Sequence, residues 1–292
     1  MNIGLLTRND RAWCSARLKE AFVRLGASPR CFTFSDLVAR VAMNSSVLLD
    51  GADIRHEISA LLVRPIGRGS LDEIIFRLNI LHSLSRSGIP VVNNPSSIEK
   101  AADKYHTLVL LSEKGMKVPK TVVTENVSEA LNAFQKFGGD AIVKPVFGSR
   151  GIGAARISNE DIAERTFRTL HFNRHVLYVQ EFVQHGFRDI RVFLVGGRAV
   201  AAMHRVSTSW KTNISRGAKP SSLKVTAEME DIAIKSADII GCEIAGVDLM
   251  ESRDGLLVNE INSQPGWRGL QSTTSVDIAE QMAAYVISKV KR

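Results

Sequence analysis

Apolar and polar residues follow two rhythms along this chain, and the places where one gives way to the other mark its elements. The opening MNIGLL predicts a buried strand, and the polar residues after it lead into a helix through about Leu25. A second apolar run, Ala60 to Ile66, predicts another strand. Helical spacing follows from Leu71 to Ser87, then a break at Gly88-Ile89-Pro90 and a short strand at Val91-Val92-Asn93. Strands alternating with helices indicate a parallel α/β lobe. No GxGxxG follows its first strand, which argues against a dinucleotide-binding lobe.

Asn94-Pro95-Ser96-Ser97 is a turn and N-cap cluster that predicts a helix from about Ile98 to Lys114, ended by Gly115. Strand, helix and strand then recur at Lys120 to Val123, Ser128 to Phe137 and Ala141 to Val146. From Val176 the chain is richer in strands. Val192 to Val195 and Arg198 to Ala202 flank Gly196-Gly197, a two-residue hairpin signal. A helix from Ala227 to Ile240 precedes strands at Ala245 to Met250 and Leu256 to Ile261, and Val276 to Val290 reads as an amphipathic helix. The class is α/β, with α+β character in the C-terminal part.

A chain of 292 residues is long enough for two or three packed lobes. Hydrophobic residues at 45% and charged residues at 23% match an ordinary globular composition. No uncharged apolar run approaches the ~18 residues that span a bilayer. The N-terminus lacks the features of a signal peptide, so a cytoplasmic protein without membrane attachment is expected. Cys14, Cys31 and Cys242 are odd in number and far apart, which argues against a disulfide framework. The formal charge of +8 suits either a nucleic-acid binder or an enzyme for nucleotides and polyanionic substrates. The three Trp and three Tyr do not interleave with basic clusters, which weakens the nucleic-acid reading.

Four segments carry candidate chemistry. In GVDLM and LLVNEINSQPGW, Asp248 sits mid-strand among apolar neighbours, where an unpaired carboxylate would be expensive. Glu260 and Asn262 are two residues apart on the next strand and so share a face. Two antiparallel strands joined by ESRDG would bring Asp248 opposite them. That supplies three hard oxygen donors suited to Mg²⁺, the alternative being polar caps or ion pairs at strand ends. In AIVKPVFGSRGIG, Lys144 precedes Gly148, Gly151 and Gly153, which would let backbone N–H groups approach phosphate. A plain hairpin turn with a solvated lysine is the alternative, and no G-K-[ST] closes the loop. YVQEFVQHGFRDIRVFLV places Glu181 and Phe182 as a narrow wall for an adenine, with Asp189 and Arg191 alternating on one face of the next strand, the equal alternative for these two being a surface cross-strand pair. KTNISRGAKP is a basic loop carrying Lys211, Asn213 and Arg216, suited to a transferring phosphoryl group or else simply solvated.

Taken in order, these segments resemble the ATP-grasp superfamily and, within it, the RimK-like branch of α-L-glutamate ligases. The likeness runs over nearly the whole chain, through MNIGLLTRND, VRPIG, NNPSSIEKAADKYHT, IVKPVFGSRGIG, VQEFV, DIRVFLVGG, TNISRGA, AGVDLM and NEINSQPGWRGLQSTTSVDIA. It implies an N-terminal lobe over 1–95, a central lid over 96–185 and a C-terminal mixed-sheet lobe over 186–292, with ATP held between the last two. It makes Lys104 and Lys144 phosphate ligands, sets Glu181 and Phe182 at the adenine and Asp189 near the ribose, and puts Lys211, Thr212 and Asn213 beside the nucleotide. Asp248, Glu260 and Asn262 become ligands of Mg²⁺, or of Mn²⁺ in its place. Arg191 and Arg216, as catalytic residues, and Arg64 with the loop Ser263 to Gly266 would face the acceptor or the incoming amino acid. Lys211-Thr212 stands where relatives often carry Arg-Ser, and the stretch from Glu181 to Asp189 is shorter than in some of them. The implied reaction joins L-glutamate to an acidic acceptor through an acyl phosphate. PGWRGLQS resembles ligases of small cofactors such as tetrahydromethanopterin; a ribosomal-protein tail is the second choice of acceptor and an amino-group carrier the third. A homodimer or homotetramer is implied as well.

Overall fold

A computed structural model gives the fold over residues 1–43, 47–148 and 151–290. Ser149 and Arg150 of the glycine loop lie outside the described residues. The chain opens on β1 (Asn2–Leu6), α1 (Trp13–Arg24) and β2 (Ser28–Phe32), then forms a small antiparallel sheet from β3 (Leu37–Ala39), β4 (Val47–Leu49) and β5 (Ala52–Asp53). After α2 (Ile54–Glu57) come β6 (Ala60–Val63), α3 (Leu71–Arg86) and β7 (Val91–Val92). The main N-terminal sheet is parallel in the order β2-β1-β6-β7. Neighbours on β1 face opposite ways, as a sheet covered on both sides requires. Ile3 and Leu5 join one core, whereas Leu6 joins the other beside α3.

The helix expected from Ile98 to Lys114 is two helices, α4 (Pro95–Ala102) and α5 (Lys104–Glu113). Asp103 between them is extended (φ −92°, ψ 107°), and its carboxylate accepts the His106 N–H at 3.0 Å, so an N-cap interrupts the helical pattern. Both helices were expected in the central lid. Instead Leu108 and Leu111 of α5 lie in the core of the C-terminal sheet. The central sheet itself is antiparallel, in the order β10-β9-β11-β8, built from β8 (Thr121–Thr124), β9 (Ala141–Val143), β10 (Ala155–Ile157) and β11 (Leu177–Glu181). Helices α6 (Val127–Lys136) and α7 (Glu160–Phe172) cover it. β9 ends one residue before Lys144, which therefore stands at the strand's mouth rather than within it.

The C-terminal sheet, in the order β14-β13-β12-β15-β16, comprises β12 (Arg188–Val195), β13 (Arg198–Val206), β14 (Lys219–Leu223), β15 (Ile244–Ser252) and β16 (Gly255–Asn262). Between β14 and β15 runs α8 (Ala227–Ile240), and α9 (Arg268–Gln271) and α10 (Ile278–Val290) follow the sheet. Gly196 and Gly197, both at positive φ (60° and 76°), make the expected tight hairpin between β12 and β13. One face of this sheet packs on α8 and α5 through Ile190, Val192, Val247 and Leu249. The other face is divided. Phe193, Ala201 and Met203 share a core with α1, α10 and the N-terminal sheet, while further along the same strands the residues become charged. Asn93 fastens the two lobes: its amide donates to the Ile244 carbonyl (2.7 Å) and to the Ser263 carbonyl, and its oxygen accepts the N–H groups of Glu243 and Ile244 at 2.8 Å. Among the described residues no helix is long and apolar enough to cross a membrane.

Candidate active site

The charged half of that face is the core of the site. Arg191 on β12 pairs in register with Asp248 on β15, and Asp248 with Glu260 on β16, so the three side chains form a row across three strands. Asn262, opposite Gly246, stands two residues along on the same face. The register shifts after Asp248, leaving Asn259 as the extra residue of a β-bulge. The bulge puts Val258 in the core and leaves both Asn259 and Glu260 at the cleft.

Asp248 is only 2% exposed, and the cost of burying it is offset by two arginines. Arg191 donates through Nε and Nη2 to its two oxygens, each at 2.7 Å, and Arg205 Nη2 lies 3.0 Å from Oδ2. Burial would raise the Asp248 pKa, but the two guanidinium groups outweigh it and hold the carboxylate below its ordinary range. A carboxylate has about four acceptor positions, so one on Oδ1 stays available.

Asp189 lines the cleft but is tied to protein neighbours. Its oxygens accept Arg205 Nε and Nη2 at 2.6 and 2.5 Å, and Thr212 Oγ1 at 2.6 Å. It is a buried anchor for Arg205, which is itself 3% exposed and links Asp189 to Asp248. Burial would lower the Arg205 pKa, yet the two carboxylates keep it raised.

A cleft opens between this face and the central sheet. Lys104 at the start of α5 reaches within 3.9 Å of Glu260 and donates to the Gly148 carbonyl at 2.5 Å. Lys144 donates to Gln180 Oε1 at 3.0 Å and lies 5.1 Å from the Tyr178 ring centre. Burial, with Lys104 adding to it and Glu260 opposing it, brings the Lys144 pKa down to about 8. Glu181 lines the cleft at the end of β11, with Oε1 accepting the Lys120 N–H at 2.8 Å. Phe182 lines it too, but Arg156 covers one ring face at 3.5 Å, held there by Asp140. Lys211, Thr212 and Asn213 complete the wall. A Cβ on Gly151 would collide with the Asn213 amide oxygen, so the glycine loop rests directly on this wall.

Not every expected residue meets there. Gly148 and Gly151 line the cleft, whereas Gly153 does not. Arg216 is exposed and away from the cleft lining, as is Gly266. Ser263 turns its carbonyl to Asn93, and Asn262 directs its amide nitrogen to the Gly246 carbonyl at 3.4 Å, which leaves its Oδ1 uncommitted. Arg64 is buried against Trp267 in the N-terminal lobe. Sequence reasoning missed Gln180, Arg205, Trp210 and Asn259. Two had a signal: Arg205 shares the face of apolar Met203 and Ala201, and Asn259 interrupts the apolar run Leu256-Leu257-Val258. Gln180 and Trp210 had none.

Among the described residues no three His, Cys, Asp or Glu side chains converge as a metal site. The set here instead combines an ionised carboxylate, a second carboxylate directly opposite and an amide oxygen on the same face. These are hard oxygen donors, and they fit Mg²⁺ sharing its shell with water and phosphate.

A RimK-like ATP-grasp domain matches residues 101–286. Over 320 aligned residues, covering 97% of this chain and 98% of the relative, the sequence is 31% identical to tetrahydromethanopterin:alpha-L-glutamate ligase of Methanosarcina acetivorans. It is 38% identical over 242 residues, 80% of this chain and 81% of the relative, to the ligase of the same name from Methanocaldococcus jannaschii. The fold matches that of the ATP-grasp ligase PsnB, solved with a phosphomimetic precursor variant, Mg and ADP. The TM-score is 0.75 at 18% identity, over 99% of this chain and 98% of that one. The chain belongs to the RimK-like ATP-grasp family and is an ATP-dependent ligase.

Proposed function

We propose that this ligase uses Mg-ATP to join L-glutamate to a carboxylate on a small cofactor of the tetrahydromethanopterin kind. The observation that carries the nucleotide chemistry is the pair Asp248 and Glu260, with Arg191 bonded to Asp248, facing Lys104 and Lys144 across one cleft. Cations and oxygen donors meet there, as the transfer of a phosphoryl group requires. The names of these two relatives support glutamate and the acceptor class. PsnB, solved with Mg and ADP, supports the cofactors.

In this reading the acceptor carboxylate attacks the γ-phosphorus of ATP. A carboxylate O–P bond forms, the bond to the ADP oxygen breaks, and an acyl phosphate results. The glutamate amine then adds to the acyl carbon, phosphate departs, and the amine loses a proton as the amide forms. No side chain acts as a nucleophile. Lys104 and Lys144 bind the phosphates, Arg191 offsets charge developing at the transferring group, and Arg205 keeps Asp248 oriented. Asp248, Glu260 and Asn262 would hold Mg²⁺, which when bound neutralises charge on the phosphate oxygens. The glycine loop against Asn213 excludes water that would hydrolyse the acyl phosphate.

The test incubates the protein with ATP, Mg²⁺ and isotopically labelled glutamate against a panel of carboxylate-bearing cofactors and acidic peptide tails. The expected product is a cofactor heavier by one or more glutamyl residues, formed with ADP. Labelling of a peptide tail alone would replace the proposed acceptor with a protein. Consumption of ATP with no glutamyl product on any member would contradict the amide-forming proposal.

A further inference from the structure

Lys144 is held from behind by a chain of side chains in the central sheet. Thr121 on β8 stands opposite Gln180 on β11, and Gln180 stands opposite Ile142 on β9. Their strand neighbours Val143, Leu177 and Val179 turn the other way, into the core under α6 and α7. Thr121, Tyr178 and Gln180 therefore share the face on which Lys144 lies, over the Tyr178 ring. Gln180 is 4% exposed and Tyr178 is fully buried, so the polar atoms here need partners inside the protein.

The hydrogen bonds at this place run in one direction. The Pro119 carbonyl can only accept, and Thr121 Oγ1 donates to it at 2.9 Å. That uses the one hydroxyl proton, so the Thr121 oxygen acts toward Gln180 as an acceptor. It takes Gln180 Nε2 at 2.9 Å, and the Tyr178 hydroxyl oxygen lies 3.3 Å from the same nitrogen. With its NH₂ end fixed, the amide presents Oε1 at the other end, where Lys144 Nζ donates to it at 3.0 Å. Turned over, the amide would set N–H donors against an ammonium that is itself only a donor. Among the described residues no carboxylate pairs with Lys144, so Gln180 Oε1 is its side-chain anchor. An ammonium has three N–H groups, and the two left over are available to phosphate oxygens.

We propose that Thr121 and Gln180 are positioning residues for the nucleotide: the hydroxyl fixes the amide, and the amide aims the Lys144 ammonium at the phosphates. The inference rests on the ligase reading, which gives Lys144 to the phosphates, and extends it to a residue outside the cleft. Gln180 and Lys144 line the cleft, whereas Thr121 does not. Thr121 acts only through the amide.

The test titrates Mg-AMP-PNP calorimetrically into the full chain. Thr121→Val keeps the shape of the side chain and removes its hydroxyl. The amide is then free to turn its NH₂ toward Lys144, and affinity should fall by about tenfold or more. Thr121→Ser keeps the hydroxyl and should bind like the wild type. The same Thr121→Val change is then made in a Gln180→Glu background. A carboxylate shows Lys144 an oxygen whichever way it turns, so the change should there alter affinity by less than about twofold. Thr121→Ala replaces Thr121→Val in both backgrounds if the latter does not fold. Equal losses in the two backgrounds would mean that the hydroxyl serves packing alone, and wild-type affinity for Thr121→Val would remove the relay. Either result overturns the proposal while the nucleotide site stands. Failure of the wild type to bind Mg-AMP-PNP overturns the ligase reading, and the positioning role with it.

Discussion

Arg205 carries more of the site's electrostatics than any other single side chain. It neutralises two buried carboxylates at once, Asp189 and Asp248, from the same face of neighbouring strands. Removing it leaves Asp189 with no cation and Asp248 with Arg191 alone, and a broken buried ion pair costs about 3–5 kcal/mol. Arg205→Met should therefore lower stability to urea by about that amount, with Arg205→Lys intermediate. Equal unfolding midpoints for Arg205→Met and the wild type would show that the pair contributes nothing. Lys144 gives a second prediction. Its pKa of about 8 in the free protein lies below the ordinary lysine value of 10.5, because burial disfavours the charged form. A triphosphate binds the charged form, so above about pH 8 binding must take up a proton. Affinity for Mg-ATP should fall as pH rises from about 8 to 10.5, by up to about tenfold per unit. Lys144→Met should bind more weakly with a flatter profile over that window; an unchanged slope would remove Lys144 from the phosphate site.

The strands and the glycine loop act as elements rather than as collections of residues. The alternation of β12, β13 and β15 was legible in the sequence, because acidic or basic residues on otherwise apolar strands are conspicuous. That is how Asp248, Glu260 and Arg191 could be named beforehand. The Asp189–Arg205 pairing was not legible, since the partners lie on different strands and only the register brings them together. Asp189 lines the cleft with that pairing already made. The break between α4 and α5 was hidden for a related reason: Asp103 caps a helix that apolar spacing alone carries straight through. The glycine loop was recognisable by composition, but its seat on Asn213 was not. Gly151 has φ +66°, strained for any L side chain, and a Cβ there must displace the Asn213 amide, so Gly151→Ala should loosen the loop from this wall. The expected outcome is a nucleotide affinity reduced by about tenfold or more, measured by titration, with little loss of global stability. Wild-type affinity in that variant would mean the loop's seat is irrelevant to the ligand.

Across the whole molecule, a single face of the C-terminal sheet does two jobs. Its apolar half joins the core of the N-terminal lobe, and its charged half closes the nucleotide cleft against the central lobe. Phe193 stands two residues beyond Arg191 on the same strand face, so the inter-lobe core and the site share one rigid support. The parallel α/β lobe at the start was readable from the alternation of strands and helices, whereas the division into three lobes came from the family resemblance. The return of α10 to the N-terminal sheet and the docking of α5 on the C-terminal one were not, because they depend on contacts remote in sequence.

Nucleotide titration with and without Mg²⁺, on the wild type and on Glu260→Ala, reaches the Asp248–Glu260–Asn262 set most directly. With these side chains holding the metal beside the phosphates, Mg²⁺ should strengthen AMP-PNP binding to the wild type by about tenfold or more and leave the folded variant almost unaffected. An equal gain from Mg²⁺ in both proteins would place the cation elsewhere, and the chemistry assigned to this cleft would fail.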